Sequence, residues 1–301
     1  MGFFDDAQEM LDRGVTAAKG AVSGVAVEQR LFVKAFVRMC NDGWLQGWHE
    51  RNGGNLTYRM TAEEVSSCRS FFYSTPSSWV ALGMAVPEMA GEFLVATASG
   101  AHMRNVSLDP VRALGIVEVN GVGDAWRIVW GFKDGGFPTS ELPSHLLCHA
   151  ACKRKAGDAV RVMYHAHPSC ATALTLVLPP DTRTVTRALW TCMTESVIAF
   201  PEGVGVLPWM CPGSRELARA TSELMAAGFN AVLWAQHGVF CSGANFDTAF
   251  GLMHAIEKAS EVYAHACPMA EGGQLQRLLS DANLREIAKA YDLDLNEELL
   301  A

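Results

Sequence analysis

Residues 160–164 form a largely apolar run with strand character, and that run delivers the tripeptide His165-Ala166-His167. On a strand, side chains at i and i+2 project to the same face. The pattern therefore commits this part of the chain to a sheet that presents two imidazoles side by side. Two neutral histidines that close can share one ion, and imidazole is a ligand suited to Zn²⁺. Histidines at a strand end can equally be held by local hydrogen bonds. The metal reading therefore requires a third ligand and a catalytic acid or base elsewhere.

Both are in the chain. Ala231-Val232-Leu233-Trp234-Ala235 reads as a buried strand that ends at Gln236-His237-Gly238, placing a third histidine beside a glycine that lets another backbone come close. Pro138-Thr139-Ser140-Glu141-Leu142-Pro143 opens a helix that Thr139 or Ser140 can cap. That helix carries Glu141, His145 and His149 at i, i+4 and i+8, a rival metal trio. Two full turns separate its ends by roughly 12 Å at about 1.5 Å per residue, too far for one ion to take all three. The expected division has Glu141 pointing into the site and at least one of the two histidines doing structural work.

Three small polar turns could cradle an anion. Asn52-Gly53-Gly54-Asn55 offers successive backbone N–H groups and two side-chain amides, Ala98-Ser99-Gly100 follows a buried strand over 93–97, and Thr139-Ser140 lies at a helix start. Three histidine ligands with an open position is the pattern of catalytic zinc. A Lewis acid there would polarise a carbonyl while Glu141 moves a proton. An anion cradle beside it points to carbon–carbon lyase, isomerase or dehydratase chemistry on a phosphorylated sugar.

Around these motifs the chain alternates helix and strand. Residues 31–48, 171–178, 182–190, 214–227 and 246–266 read as helices, and the tail 284–301 as an acidic final helix. Residues 56–60 read as a strand, and 114–120 with 125–131 as a hairpin joined by Gly121-Val122-Gly123-Asp124. Residues 63–92 read as loops around the aromatics Phe71, Phe72, Tyr73 and Trp79, and 201–208 as a turn-rich connector. Residues 3–25 are expected to be an amphipathic helix, either docked on the body of the fold or a neighbouring subunit, or a detachable helix for targeting or for docking on another protein.

Composition narrows the setting. The 301 residues carry 24 Lys and Arg against 32 Asp and Glu, a net charge of −8, which removes a basic footprint for nucleic acid or an anionic membrane. No apolar run approaches the roughly 18 residues of a membrane span. The nine cysteines are scattered without a CxxC, so reduced thiols fit better than disulfides or a zinc ribbon, and Cys148 and Cys152 read as helix-face packing. With an acidic start at Gly2-Phe3-Phe4-Asp5-Asp6, the expected location is the cytoplasm.

The segments GWHERNGGNLT (residues 47–57), FPTSELP (137–143), HAH (165–167) and FPEGVGVLPWM (200–210) resemble the zinc-dependent class II aldolase/adducin superfamily. The resemblance runs from about residue 31 to near the C-terminus, with the motifs in order. It implies an α/β fold, a three-layer α/β/α domain with a central, largely antiparallel sheet, assembled as a homotetramer. Residues 31–301 would be the catalytic domain and 1–30 an N-terminal helical extension outside the resemblance. It implies one Zn²⁺ per subunit on His165, His167 and His237, with Glu141 as acid/base. A phosphate site is implied at Asn52, Gly54, Asn55, Ser99, Gly100, Thr139 and Ser140, and Glu195 matches a carboxylate supplied to the neighbouring subunit. Through its longest segments the resemblance implies cleavage of L-rhamnulose 1-phosphate into dihydroxyacetone phosphate and L-lactaldehyde. The alternatives are an aldolase or epimerase acting on L-fuculose 1-phosphate or a pentulose 5-phosphate, or a non-catalytic adducin-like module, which would normally lack the ligand set.

Overall fold

The strand Asn55–Arg59 (β1) lies at the centre of the order in which the other strands pair. Its residues alternate: Leu56 and Tyr58 enter one apolar core together with Val95, Val162 and Tyr164, while Thr57 and Arg59 project from the opposite face. The computed structural model describes residues 25–300, so the helix expected over residues 3–25 lies outside the described residues except at its final position.

The remaining strands are β2 (Val80–Ala81), β3 (Phe93–Thr97), β4 (Leu114–Val119), β5 (Ala125–Gly131), β6 (Val162–Ala166), β7 (Gly205–Leu207), β8 (Ala231–Trp234) and β9 (Gly238–Gly243). They form one nine-stranded sheet in the order β2-β5-β4-β3-β1-β6-β9-β8-β7. The sheet is mixed, because β7 joins β8 in parallel while the other pairings are antiparallel. Register decides the site: Asn55 lies opposite His165 on one side of β6, and Phe240 lies opposite it on the other.

The helices are α1 (Leu31–Leu45), α2 (Ala62–Cys68), α3 (Pro110–Ala113), α4 (Leu142–Ala156), α5 (Ser169–Val177), α6 (Thr182–Cys192), α7 (Thr194–Ala199), α8 (Arg215–Ala227), α9 (Phe246–Ala266) and α10 (Asp281–Ala290). Val33, Phe36 and Met39 of α1, Leu189 of α6 and Met253 of α9 share the core of Leu56 and Tyr164. On the opposite face, Leu142 and Leu146 of α4 pack with Leu94 and Ala96, and Cys148 and Cys152 with Met163 and Leu217 of α8. Both faces of the sheet are therefore buried under helices. None of the described helices is long and apolar enough to cross a membrane.

Several expectations are corrected. Residues 62–68 are a helix rather than loop, because Thr61 and Glu64 form a reciprocal capping box, with Glu64 Oε2 accepting from Thr61 N at 2.7 Å. Part of the connector over 201–208 is the edge strand β7, added in parallel along β8. The segment after His237 is strand β9, returning antiparallel to β8. The final helix ends at Ala290, and the tail turns back to place Asn296 N on Pro201 O at 3.0 Å. Neither Thr139 nor Ser140 caps α4. Glu141 itself holds the cap position, without a side-chain capping bond.

Candidate active site

His165 is the fourth residue of β6, and His167 follows the strand's last residue, so both rings leave the same face. His237 arrives from the other direction, at the tight turn between β8 and β9, where its N–H bonds Trp234 O at 3.1 Å. Gln236 occupies the left-handed region at φ 59°, uncommon for a residue with a side chain, and its N–H is held by Thr175 Oγ1 at 2.9 Å. Gly238 is required here: a Cβ would lie 2.4 Å from Ala166 O and 2.9 Å from the His167 ring. The three histidines each offer a ligand atom, all within 4.8 Å of one another.

Their outer nitrogens are oriented separately. His165 Nδ1 lies 3.0 Å from Val239 O, and His167 Nδ1 lies 2.6 Å from Glu50 Oε1. Both partners are acceptors, so each Nδ1 carries a hydrogen, and a neutral ring so placed presents a bare Nε2. The two Nε2 atoms are 3.2 Å apart. Facing lone pairs at that distance repel unless a cation lies between them. His237 Nδ1 is buried with no hydrogen-bond partner, a further donor atom without an occupation. Burial foremost, with His167 and His237 nearby, holds His165 far below the usual histidine range, and burial lowers His237 to about 4. Neutral imidazoles with inward lone pairs are the donor set a divalent transition metal such as zinc takes.

Glu141 is buried beside this cluster at the start of α4. Asn55 Nδ2 donates to its Oε2 at 2.9 Å, and its own N–H bonds Thr139 Oγ1 at 3.2 Å. Burial raises its carboxyl above the ordinary range, offset in part by the Asn55 bond and by His167. A carboxyl group shifted upward is suited to hold and release a proton near neutral pH. The rival trio separates: His145 and His149 both turn to Thr57 Oγ1, at 2.8 and 2.9 Å, and His145 also meets Asn55.

The anion-cradle residues fall into two groups. Thr139 N bonds Thr97 O at 2.9 Å and Ser99 N bonds Phe137 O at 2.8 Å, which sets the 99–100 turn beside the 139–140 loop. Ser99, Gly100 and Ser140 are exposed, whereas Thr139 is buried. Across from them, Asn52 is exposed and Gly54, at φ +74°, brings its backbone against His49 and the carbonyl of His165. Asn55 is committed to Glu141 and His145. Glu195 is exposed on α7 and makes no hydrogen bond or ion pair with the described residues of the histidine cluster.

Sequence reasoning missed Glu50, Thr57 and His49. Glu50 sits inside the segment 47–57, but its link to His167 is set by tertiary approach. Thr57 lies two residues from Asn55 on a strand, so shared facing was readable. His49 bonds Gly53 O at 2.9 Å and Tyr164 Oη at 2.7 Å, tying the glycine turn to β6.

The model of the Class II Aldolase and Adducin N-terminal domain matches residues 34–264. A rhamnulose-1-phosphate aldolase of Mannheimia succiniciproducens is 41% identical over 250 residues, 83% of this chain and 90% of that protein. A rhamnulose-1-phosphate aldolase of Klebsiella pneumoniae is 39% identical over 270 residues, covering 87% and 96%. Among solved structures, a sugar-phosphate aldolase from Thermotoga maritima superposes with a TM-score of 0.65 at 26% identity, over 78% of this chain and 94% of that one. An L-fuculose 1-phosphate aldolase shares the fold, at TM-score 0.55 and 20% identity over 86% and 95%. With the match spanning the histidine cluster, Glu141 and most of the sheet, this chain belongs to the class II aldolase and adducin N-terminal domain family and is a lyase.

Proposed function

We propose that the chain cleaves L-rhamnulose 1-phosphate to dihydroxyacetone phosphate and L-lactaldehyde, using one zinc ion per subunit. The observation that carries this reading is the convergence of His165, His167 and His237 beside a buried, amide-held Glu141. Relatives named for that aldolase, near 40% identical along most of the chain, support the substrate.

His165, His167 and His237 would hold the ion, with Val239 O and Glu50 orienting two of the rings. Bound there, a divalent metal supplies Lewis-acid polarisation of the ketose carbonyl. The C4 hydroxyl passes its proton to solvent water as the C3–C4 bond breaks and the aldehyde leaves. Glu141, protonated at the outset, delivers its proton to C3, completing dihydroxyacetone phosphate, and solvent water returns a proton to the carboxylate so formed. Asn52, Gly54, Ser99, Gly100, Thr139 and Ser140 would receive the phosphate through turn and loop N–H groups and hydroxyls. Asn55 is assigned to the same site, but its amide works on Glu141. No lysine takes part.

Helices over both sheet faces support a three-layer domain over residues 31–301, with 1–30 as a separate extension. A homotetramer would bring Glu195 of one subunit to the aldehyde side of the next. The expected location is the cytoplasm.

The test is to mix purified protein with L-rhamnulose 1-phosphate and follow dihydroxyacetone phosphate, with and without EDTA and added zinc. Chelator-sensitive release restored by zinc supports the reading. No release by folded, zinc-loaded protein sinks this substrate and turns attention to L-fuculose 1-phosphate and to epimerisation of a pentulose 5-phosphate.

A further inference from the structure

Behind Glu141 runs a buried polar chain that the cleavage scheme leaves unused. Asn55 Nδ2 meets Glu141 Oε2 at 2.9 Å, Asn55 Oδ1 meets His145 Nε2, His145 Nδ1 meets Thr57 Oγ1 at 2.8 Å, and Thr57 Oγ1 meets His149 Nε2 at 2.9 Å. All five side chains are buried, Thr57 and His145 completely.

Chemistry gives this chain a direction. The Asn55 amide nitrogen donates to Glu141 Oε2, which leaves the amide oxygen aimed at His145. His145 therefore carries its hydrogen on Nε2 and a lone pair on Nδ1. Thr57 must then donate to His145 Nδ1, which leaves its oxygen to accept from an Nε2–H of His149. The chain ends at a bare His149 Nδ1, and that atom is buried with no partner. Reversing every bond would require a proton on Glu141 Oε2 and would strand an N–H on His149 Nδ1 instead of a lone pair. Buried N–H groups without partners are the rarer of the two.

We propose that Thr57 and His145 are positioning residues: the one-way chain holds Asn55 as a donor, keeps Glu141 Oε2 an acceptor, and leaves Oε1 as the oxygen that carries the working proton. This rests on Glu141 being the acid/base of the reading above. Neither Thr57 nor His145 touches the reacting atoms. Their role is to decide which carboxyl oxygen is free, because the side-chain hydrogen bond to Glu141 falls on Oε2.

Two measurements test it. Neutron diffraction from deuterium-exchanged crystals of the wild-type protein reads the direction without turnover. Deuterons are expected on Nε2 of both His145 and His149, and a deuteron on His145 Nδ1 instead of Nε2 overturns the proposal. The kinetic arm compares Thr57→Val, which keeps the shape and removes the hydroxyl, with Thr57→Ser, which keeps the hydroxyl. In metal-loaded enzyme, Thr57→Val should lower kcat by about 10-fold or more, with KM and metal content little changed, and Thr57→Ser should restore it. In a Glu141→Gln background Thr57→Val should cost nothing further, because the group it positions is already disabled. Full kcat in folded Thr57→Val, or the same fold-loss in both backgrounds, overturns the proposal. If wild-type enzyme fails to cleave L-rhamnulose 1-phosphate, the substrate assignment falls while the deuteron positions still decide the direction of the chain.

Discussion

Two sets of histidines neighbour Glu141, and they differ in what their nitrogens do. His145 and His149 stand on α4 with their inward nitrogens engaged by Thr57 and Asn55. His165, His167 and His237 come from strand ends and a tight turn, and the Nε2 atoms of the first two face each other at 3.2 Å while their Nδ1 atoms are occupied. Residue type is shared between the sets but burial is not, since His145, His149 and His165 are buried and His167 and His237 only half-buried. What would make one set ligands and the other scaffold is which nitrogen is left bare and whether the bare nitrogens converge. A helix spreads i, i+4 and i+8 along its axis, whereas strand ends and a hairpin turn can aim three rings at one point.

The sharpest way to break this distinction is a pair of substitutions read by elemental analysis. His165→Ala should empty the site of metal and abolish turnover, while His145→Gln should retain its metal. Equal metal loss in the two variants would collapse the division. Next in size, Glu141→Ala should keep the metal and lose roughly 10²–10⁴-fold in kcat, the contribution of a positioned acid/base. Near-wild-type turnover would remove Glu141 from that role. A smaller effect belongs to Glu50, which orients His167 from a largely exposed position. Glu50→Ala should weaken metal affinity by roughly 10-fold, the low end for an outer-shell partner, and unchanged affinity in a chelator competition would make the contact incidental.

A further effect concerns stability. Burial lowers His145 to about 3 and His49 to about 4, against an ordinary value of 6.5. Unfolding lets both rings bind protons that the native state refuses, so the stability they contribute is complete above about pH 6.5 and declines as pH falls toward 4. Thermal melts should show Tm falling between pH 6.5 and 4.5, by an amount equivalent to a few kcal/mol at most, and His145→Gln should make that slope shallower. A slope unchanged in that variant would mean that other groups dominate the acid limb.

Much of the fold was legible where local pattern and tertiary context agree. The hairpin of β4 and β5, the capped helix after Ser214 and the long helix Phe246–Ala266 follow from turn glycines, an N-cap and apolar spacing. Strand β7 was not legible, because Gly205, Val206 and Leu207 lie among turn-forming residues and acquire strand geometry by pairing with β8. The helix over 62–68 was legible in principle from Thr61 and Glu64, but its apolar content is slight, so periodicity alone passed over it.

The same boundary divides the site. By itself the sequence determined that His165 and His167 share a face, since an i, i+2 spacing on a strand leaves no other arrangement, and that His145, His149 and Glu141 cannot all meet one ion. It supplied a glycine beside His237 that lets another backbone come close. Only the tertiary structure decided that His237 joins that face, that Glu50 holds His167, and that Thr57 draws off the two α4 histidines. Those outcomes depend on antiparallel register across β1, β6 and β9, which brings residues more than seventy positions apart into hydrogen-bond contact. No local periodicity encodes such a pairing, because register is set by the joint burial of whole strands.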